Sequence, residues 1–308
     1  MAASPPDIVV IVNFSAGHGN GDLSRRISEA FRAHGVEIRI VEMTSGDDVR
    51  ARAAAALIGP ETVVVAAGGD GTVGRVAEVA MIHGSIFGVI PSGTLNHFAK
   101  DLQIPLGLQG AVQTILSGAM HRIDVGEVNG TVFVNNSGLG LYPILVTHRE
   151  RERRSGRNRW AAMFRAALNV FRRYHHIRLT LTNGGERFIR KTPFLFFSNN
   201  DYEIEGRRFG RRPRMDAGHL TLYVAPPASR WRLLWLSAKA VFGRLQPKTD
   251  LEIHHVQEVS IKLRRRRVRV SMDGEVMKMR PPLTYRIRPG ALRVIVPQAA
   301  PMEAPSGP

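Results

Sequence analysis

Cysteine is absent from the 308 residues of this chain. Its absence excludes a disulfide framework, a zinc site built on thiolates and a cysteine nucleophile. Prenylation and S-palmitoylation, which both modify cysteine, are excluded as well, and Ala2 leaves no N-myristoylation signal. Because a chain without cysteine suits a reducing compartment, we expect a cytoplasmic protein.

Long apolar runs are also missing. No segment approaches the roughly 20 apolar residues that a membrane-spanning helix needs. Residues 1–7 lack the basic-then-apolar order of a signal peptide. We therefore expect a protein that is soluble or lies on a membrane surface.

Acidic residues are few relative to basic ones, with 26 Asp and Glu against 43 Lys and Arg and a formal net charge of +17. Such a charge attracts nucleic acid, anionic lipid headgroups and nucleotide phosphates. Basic runs at residues 149–159, 207–214 and 262–269 indicate that the basic surface belongs to the second half. Any single run can also be a solvated face without a ligand. No nucleic acid is expected, because the arginine run at 264–267 contains no aromatic side chain for base stacking.

The first 120 residues alternate short apolar runs with helical patterns. The runs are β-branched and bounded by glycine, proline or polar turns, which predicts strands at 8–12, 36–41, 62–66 and 86–90. Apolar residues at helical spacing predict helices at 22–31, 47–58, 72–83 and 108–116. Strands that alternate with helices pair in parallel, so residues 1–120 are predicted to form a Rossmann-like, three-layer α/β nucleotide domain.

After Gly118 the pattern changes to strands. Residues 123–128 and 131–135, joined by Asn129-Gly130, predict a β-hairpin. Further strands are predicted at 177–182, 193–197, 220–224, 256–263, 267–272, 283–287 and 292–296. Residues 121–298 are therefore predicted to form an antiparallel β-sandwich, which two amphipathic helices at 160–171 and 234–245 interrupt. Residues 299–308 are predicted to be a disordered tail.

Three glycine-containing loops follow predicted strands of the first half, at residues 13–19, 68–72 and 91–96. Ligands of open parallel sheets bind beyond the carboxyl ends of the strands. Glycine lets backbone amides approach phosphate oxygens, and a following helix adds partial positive charge. A structural turn explains any one of these loops, but three together predict a nucleotide site. Asp70 would hold the accompanying Mg²⁺, since a carboxylate in a phosphate loop otherwise repels its ligand.

Three motifs resemble the diacylglycerol kinase catalytic-domain family, which also includes sphingosine kinases and bacterial lipid kinases. They are Gly68-Gly69-Asp70-Gly71-Thr72, the segment from Pro91 to Ala99, and Asp273-Gly274-Glu275. The resemblance spans about residues 8–296. The order and spacing of the motifs resemble those of the bacterial branch of the family. Members of that branch combine an N-terminal α/β nucleotide domain with a C-terminal β-sandwich.

The resemblance implies an ATP-dependent lipid kinase that uses Mg²⁺ and transfers the γ-phosphate to a lipid hydroxyl. Asp70, Asp273 and Glu275 are the candidate catalytic residues, with Asp70 also the metal ligand. Asp273 and Glu275 would approach the acceptor hydroxyl, one of them as general base, although the tripeptide alone is compatible with a plain turn. The candidate nucleotide-binding residues are Asn13, Ser15, Gly17, Gly68, Gly69, Asp70, Gly71, Thr72, Ser92, Gly93, Thr94 and Asn96.

The sequence departs from the family pattern at several positions. Phe14 stands where proline is common, and His97 replaces a frequent acidic residue. Ala217 replaces the second carboxylate of a frequent Asp-Asp-Gly at residues 216–218. Because bacterial relatives place these carboxylates around a structural magnesium, we predict no tightly held structural Mg²⁺ beside Asp216. The histidine pairs at 175–176 and 254–255 are also predicted not to share a metal, since strand neighbours point to opposite faces.

Two other functions remain open: a noncatalytic protein that binds nucleotide and anionic membranes, and a kinase of a soluble acceptor such as NAD. The acceptor lipid is open among diacylglycerol, a sphingoid base and a phosphoglycerol headgroup. We expect electrostatic, peripheral association with the inner face of the membrane through the basic half and the helices that carry Trp160 and Trp231. A homodimer is compatible with the sequence.

Overall fold

The structure is a computed structural model, and it describes residues 7–13, 22–44, 48–57, 59, 61–143, 177–183, 186–202, 211–226 and 251–298. The chain divides into two compact units. Unit 1 comprises Met1–Ile123 and Ala291–Pro308, and unit 2 comprises Asp124–Gly290. The sequence led us to expect a boundary at residue 120, but not the return of the chain to the first unit.

Unit 1 is built on a parallel sheet. Its strands are β1 (Ile8–Asn13), β2 (Arg39–Met43), β3 (Val63–Gly68) and β4 (Ile86–Pro91), in the spatial order β2-β1-β3-β4. The end of the last strand, β16 (Leu283–Val296), pairs in parallel with β4 through Arg293 and Val294. The helices are α1 (Asp22–Arg32), α2 (Val49–Ala56), α3 (Asp70–His83), α4 (His97–Asp101) and α5 (Leu108–Ser117).

The strand order explains where the helices lie. The chain moves one way from β1 to β2 and the other way from β2 to β3 and β4. Right-handed crossovers then place α1 on one face and α2 and α3 on the other. The packing agrees, because α1 contacts α5 whereas α2 contacts α3. This arrangement confirms the predicted α/β fold, and its topological switch point lies between β1 and β3.

Unit 2 consists of antiparallel strands in two sheets. One sheet has the order β12-β11-β10-β7-β14-β15, and the other contains β16-β13-β8-β9, with β5 paired to both β16 and β6. The strands are β5 (Ala119–Val128), β6 (Thr131–Phe133), β7 (Asn136–Gly140), β8 (Ile177–Asn183), β9 (Glu186–Thr192), β10 (Phe194–Asn199), β11 (Leu220–Val224), β12 (Glu252–Val256), β13 (Glu258–Leu263), β14 (Val268–Met272) and β15 (Glu275–Met279).

The core of unit 2 lies between these sheets. Phe197 of β10 stacks on Tyr285 of β16 with ring centroids 3.8 Å apart, and Phe133 packs edge-on against the same tyrosine. The Tyr285 hydroxyl shares a 3.0 Å hydrogen bond with the Ser137 hydroxyl, so the buried polar atom has a partner. Side chains from both sheets fill one core, which confirms the predicted β-sandwich.

Several predicted elements need correction. Residues 256–263 are not one strand, because Gln257 separates β12 from β13. Residues 283–287 and 292–296 belong to the single strand β16, which continues through Pro289. Strands β7, β9 and β15 and the short helix α4 were not predicted. The predicted helices at 160–171 and 234–245 and the tail at 299–308 lie outside the described residues.

Within the described ranges, none of the helices combines the length and the apolar character needed to cross a membrane.

Candidate active site

The loop between β3 and α3 ends a fully buried strand and begins a 14-residue helix. Gly69 is the N-cap of α3, and its carbonyl oxygen accepts hydrogen bonds from Thr72 N at 2.9 Å and Val73 N at 3.0 Å. No side chain caps this end of the helix. The N–H groups of Asp70 and Gly71, which precede these bonds, therefore remain suited to an anionic ligand, with the helix dipole behind them.

The loop after β4 lies directly against the first loop. Ser92 N donates to the Gly68 carbonyl oxygen at 3.1 Å. A Cβ atom built on Gly93 would lie 2.5 Å from the Cα atom of Gly69, which no side chain can tolerate. Asn96, with φ of 50°, holds the loop in shape because its Oδ1 accepts from Gly93 N and its Nδ2 donates to Gly93 O. Glycine at position 93 is thus required by the close approach of the two loops.

Asp70 links the two loops. Its Oδ1 accepts a hydrogen bond of 3.3 Å from Phe98 N in the first turn of α4. Its Oδ2 has no hydrogen-bond partner among the described residues. The backbone thus holds one carboxylate oxygen, and the other oxygen is left to bind a metal ion as a single ligand.

Asn13 joins the site from the neighbouring strand. Its Nδ2 donates to Thr72 Oγ1 at 2.8 Å, across the switch point between β1 and β3. The structure therefore brings together Asn13, residues 68–72 and residues 92–96, with Thr94 exposed at the surface. Ser15 and Gly17 lie outside the described residues. The uncapped helix, the glycine contact and the Asp70 carboxylate fit a nucleotide phosphate and its Mg²⁺.

The third motif forms the turn of the hairpin between β14 and β15. Asp273 and Gly274 have φ angles of 46° and 86°, and Met272 pairs with Glu275. Two left-handed residues between paired strands define a type I′ turn, for which Asp-Gly is a preferred sequence. Glu275 is partly exposed at the first position of β15.

The Asp273 carboxylate lies beneath this turn, in a residue that is half-buried as a whole. Its Oδ2 accepts from Val134 N at 2.8 Å, and its Oδ1 accepts from Asn135 N at 2.8 Å and Asn136 N at 3.1 Å. Burial raises the pKa of Asp273 to about 6, although the three backbone N–H groups and the charge of Arg212 lower it. Asp273 therefore fastens residues 134–136 to the hairpin, a structural role that the sequence did not indicate.

Comparison with known proteins agrees with this geometry. Residues 7–128 match the diacylglycerol kinase catalytic domain, and residues 146–296 match the YegS C-terminal NAD kinase beta sandwich-like domain. Residues 7–128 therefore carry the domain that defines the diacylglycerol kinase catalytic-domain family. Its loops at 68–72 and 92–96 and its Asp-Gly-Glu turn lie within the two matched regions.

Individual relatives cover the chain to different extents. The "Diacylglycerol kinase" of Bacillus subtilis is 34% identical over 37% of this chain and 39% of its own length, so the match spans well under half of that relative. The "Probable lipid kinase YegS-like" of Pseudomonas aeruginosa is 26% identical over 96% of both chains. The superposition on a crystal structure of a diacylglycerol kinase from Bacillus anthracis includes 94% of this chain and 96% of that chain. Its TM-score is 0.68, and the sequence identity is 16%. This likeness supports the fold.

Arg212 corrects our interpretation of the basic runs. We predicted that residues 207–214 belong to a basic surface, but Arg212 is only 1% exposed. Its guanidinium donates to the carbonyl oxygens of Val134 and Asn199 and to Asn135 Oδ1. A charged side chain is tolerated there because buried acceptors surround it. In sequence it is indistinguishable from the surface arginines beside it.

Replacing Asp273 with alanine is expected to lower the free energy of unfolding by several kcal/mol. The change leaves three backbone N–H groups without their acceptor, at about 1–3 kcal/mol for each that stays buried. Replacing Asp273 with asparagine should lower the free energy of unfolding by less. Asparagine accepts left-handed φ angles and can retain an oxygen near two of these N–H groups. Chemical denaturation of the two variants measures the difference. Equal stability of the alanine variant and the natural protein would contradict this role.

Hydrogen bonds and an ion pair within the protein hold the turn at residues 216–218. Asp124, buried beneath it, accepts from Gly218 N at 2.7 Å and Gly290 N at 2.9 Å. The Asp216 carboxylate instead contacts the Arg214 guanidinium at 3.0 Å, and this contact raises the pKa of Arg214. A guanidinium already placed on the carboxylate disfavours a structural Mg²⁺ beside Asp216. The expectation of no tightly held ion at Asp216 stays a prediction.

Proposed function

We propose that this protein is an ATP- and magnesium-dependent lipid kinase that transfers the γ-phosphate to a lipid hydroxyl. The observation that carries the proposal is the meeting of polar loops at the switch point. There Asn13 bonds Thr72 while Gly69 and Gly93 approach closely beside Asp70. Such a site suits a phosphate chain, because glycine backbones and a helix N-terminus provide donors without bulk.

Each residue of the nucleotide site has a proposed part. The N–H groups at the start of α3 hold phosphate oxygens, and Gly93 keeps the second loop close enough to line the same crevice. Asp70 holds the magnesium through its remaining oxygen while its other oxygen stays bonded to Phe98 N. Bound Mg²⁺ neutralises charge that develops on the transferred phosphoryl group.

For the acceptor side we propose Glu275 as the general base. Proton transfer depends on geometry before pKa. The Asp273 carboxylate is committed to three backbone hydrogen bonds that hold the turn, and Glu275, at the first position of β15, is the other carboxylate of the motif. Glu275 would take the hydroxyl proton as the lipid oxygen bonds to the γ-phosphorus and the bond from that phosphorus to ADP breaks.

We also propose that the enzyme docks on anionic membranes from the cytoplasmic side. Arg264, Arg265, Arg266 and Arg267 are all exposed at the turn between β13 and β14. Basic residues near an anionic leaflet contribute about 1 kcal/mol each. The run at 149–159 and the helices with Trp160 and Trp231, which we expected to take part, lie outside the described residues.

Incubation of the full chain with labelled ATP and Mg²⁺ tests the function. The acceptors are diacylglycerol, sphingosine and phosphatidylglycerol, each in phosphatidylcholine vesicles with or without phosphatidylserine, and NAD in solution. We expect label in lipid, more of it on anionic vesicles, and less as salt screens the surface. Label on NAD alone would indicate a soluble acceptor. Bound ATP with every acceptor unlabelled would indicate a noncatalytic protein.

A further inference from the structure

Three metal-ligating side chains meet at one end of the six-stranded sheet of unit 2. Asp201, His219 and His255 present ligand atoms that all lie within 4.8 Å of one another. His219 Nε2 is 3.1 Å from Asp201 Oδ2, and His255 Nε2 is 2.9 Å from Asp201 Oδ1. These residues have no part in the proposed transfer of phosphate.

Strand register brings these residues together. His255 of β12 pairs with Thr221 of β11, so both side chains lie on one face of the sheet. His219 lies two positions before Thr221, and its ring centroid is 4.5 Å from that of His255. Asp201 follows the end of β10, the other neighbour of β11. The three residues come from three strand ends that are distant along the chain, so the adjacent histidines of the sequence did not indicate this cluster.

The hydrogen bonds of His219 leave its Nε2 facing a carboxylate. Its Nδ1 lies 3.1 Å from the Ala217 carbonyl oxygen, which can only accept a hydrogen bond, so Nδ1 carries a proton. In the neutral imidazole, the Nε2 lone pair then points at Asp201 Oδ2, which is also an acceptor. Two facing acceptors require a proton or a metal ion between them. A backbone carbonyl on Nδ1 is the usual outer contact of a metal-binding histidine.

Asp201 is prepared as an anionic ligand. Thr221 Oγ1 donates to its Oδ1 at 2.6 Å, which fixes the carboxylate. The side chains of Asp201 and His255 are 46% and 57% exposed, so an ion can enter from solvent.

We propose that Asp201, His219 and His255 bind a transition-metal ion of the Zn²⁺ type. Bonds of about 2.0–2.1 Å in a tetrahedral site place ligand atoms roughly 3.3 Å apart. The three residues present ligand atoms within 4.8 Å of one another, so small side-chain adjustments bring them to that spacing. Two imidazole nitrogens and one carboxylate favour Zn²⁺, Co²⁺ or Ni²⁺ over Mg²⁺, which prefers oxygen ligands. Three protein ligands leave the fourth position to water.

The ion would cross-link three chain segments at the edge of unit 2. It joins the segments that end β10, precede β11 and end β12. Tyr202, next to Asp201, accepts a 3.3 Å hydrogen bond from Asn136 Nδ2, and Asn136 N in turn bonds Asp273. Metal binding therefore restrains a chain of contacts that reaches the Asp-Gly-Glu turn, and its first effect is on stability.

Metal titration of the full chain, without an affinity tag and after dialysis against EDTA, tests the site. We expect one equivalent of Zn²⁺ by calorimetry, a higher melting temperature with Zn²⁺, and visible absorption bands of a tetrahedral complex with Co²⁺. Excess Mg²⁺ should leave the Co²⁺ bands unchanged. Absence of Zn²⁺ binding by the natural protein would overturn the proposal without involving any variant.

Variants locate the ion. His255→Asn and Asp201→Asn should each lower Zn²⁺ affinity at least about 10-fold, since changes even to outer contacts of metal sites cost that much. His254→Asn is the matched control, because it changes the adjacent histidine on the opposite face of β12, beside Glu252. Unchanged affinity in folded His255→Asn, or equal loss in His254→Asn, would contradict the assignment. Circular dichroism confirms that each variant is folded.

Discussion

Replacing Asp70 with asparagine is expected to abolish most magnesium-dependent phosphate transfer while the fold remains intact. Asparagine retains an oxygen that can accept from Phe98 N, the 3.3 Å contact that joins the two loops. It loses the negative charge that would hold Mg²⁺, and metal stabilisation of the transition state contributes several kcal/mol. Turnover should therefore fall about 10²-fold or more, since about 1.4 kcal/mol corresponds to a factor of ten. Steady-state kinetics across Mg²⁺ concentrations measures the loss.

Asp22→Asn is the control for this change. Asp22 is also an acidic residue in the first turn of a helix of unit 1, but its side chain pairs with Arg25 at the surface. We expect unchanged turnover for this variant. If folded Asp70→Asn protein turns over at a near-normal rate, Asp70 is not a metal ligand in the reaction.

Glu275→Gln is expected to lower turnover by about 10² to 10⁴ with little change in ATP affinity, because loss of a general base affects proton transfer alone. Glutamine has the same shape, so the pairing of residue 275 with Met272 should persist. Turnover with saturating lipid and ATP affinity by calorimetry separate the two effects.

Two comparisons sharpen this test. Glu258→Gln changes an exposed glutamate at the first position of β13, in the same unit, and should leave turnover unchanged. Asp273→Asn distinguishes the two carboxylates of the turn. If this variant is stable yet loses as much turnover as Glu275→Gln, Asp273 shares in the chemistry. Weaker ATP binding with unchanged turnover at saturation would remove Glu275 from the acceptor site.

The parallel half of the fold could be predicted because its signals are local. All six residues of β3 are buried, and their β-branched or small side chains give an apolar run that only a covered strand explains. The phosphate loops follow directly from the positions of these strand ends. Gly69 and Gly93 were both identified, although the sequence did not show that they are in contact.

The remaining elements depend on contacts between distant residues. Strand β7 has the sequence Asn-Ser-Gly-Leu-Gly, which carries little strand propensity, and forms because β10 and β14 pair on either side of it. The burial of Arg212 and the cluster of Asp201, His219 and His255 likewise arise from register between strands. Neither feature produces a periodic pattern in the sequence from which it could be predicted.

The position of β16 has a consequence for how the chain folds during synthesis. Arg293 of this strand donates a hydrogen bond to the carbonyl of Gly84, 209 positions earlier, and the strand covers the edge of β4. Until that late segment leaves the ribosome, Ile86 and Phe87 border an open sheet edge that another chain can pair with. Closing so long a loop is also slow. Unit 1 begins to be synthesised first, but it is completed only after unit 2 has been synthesised.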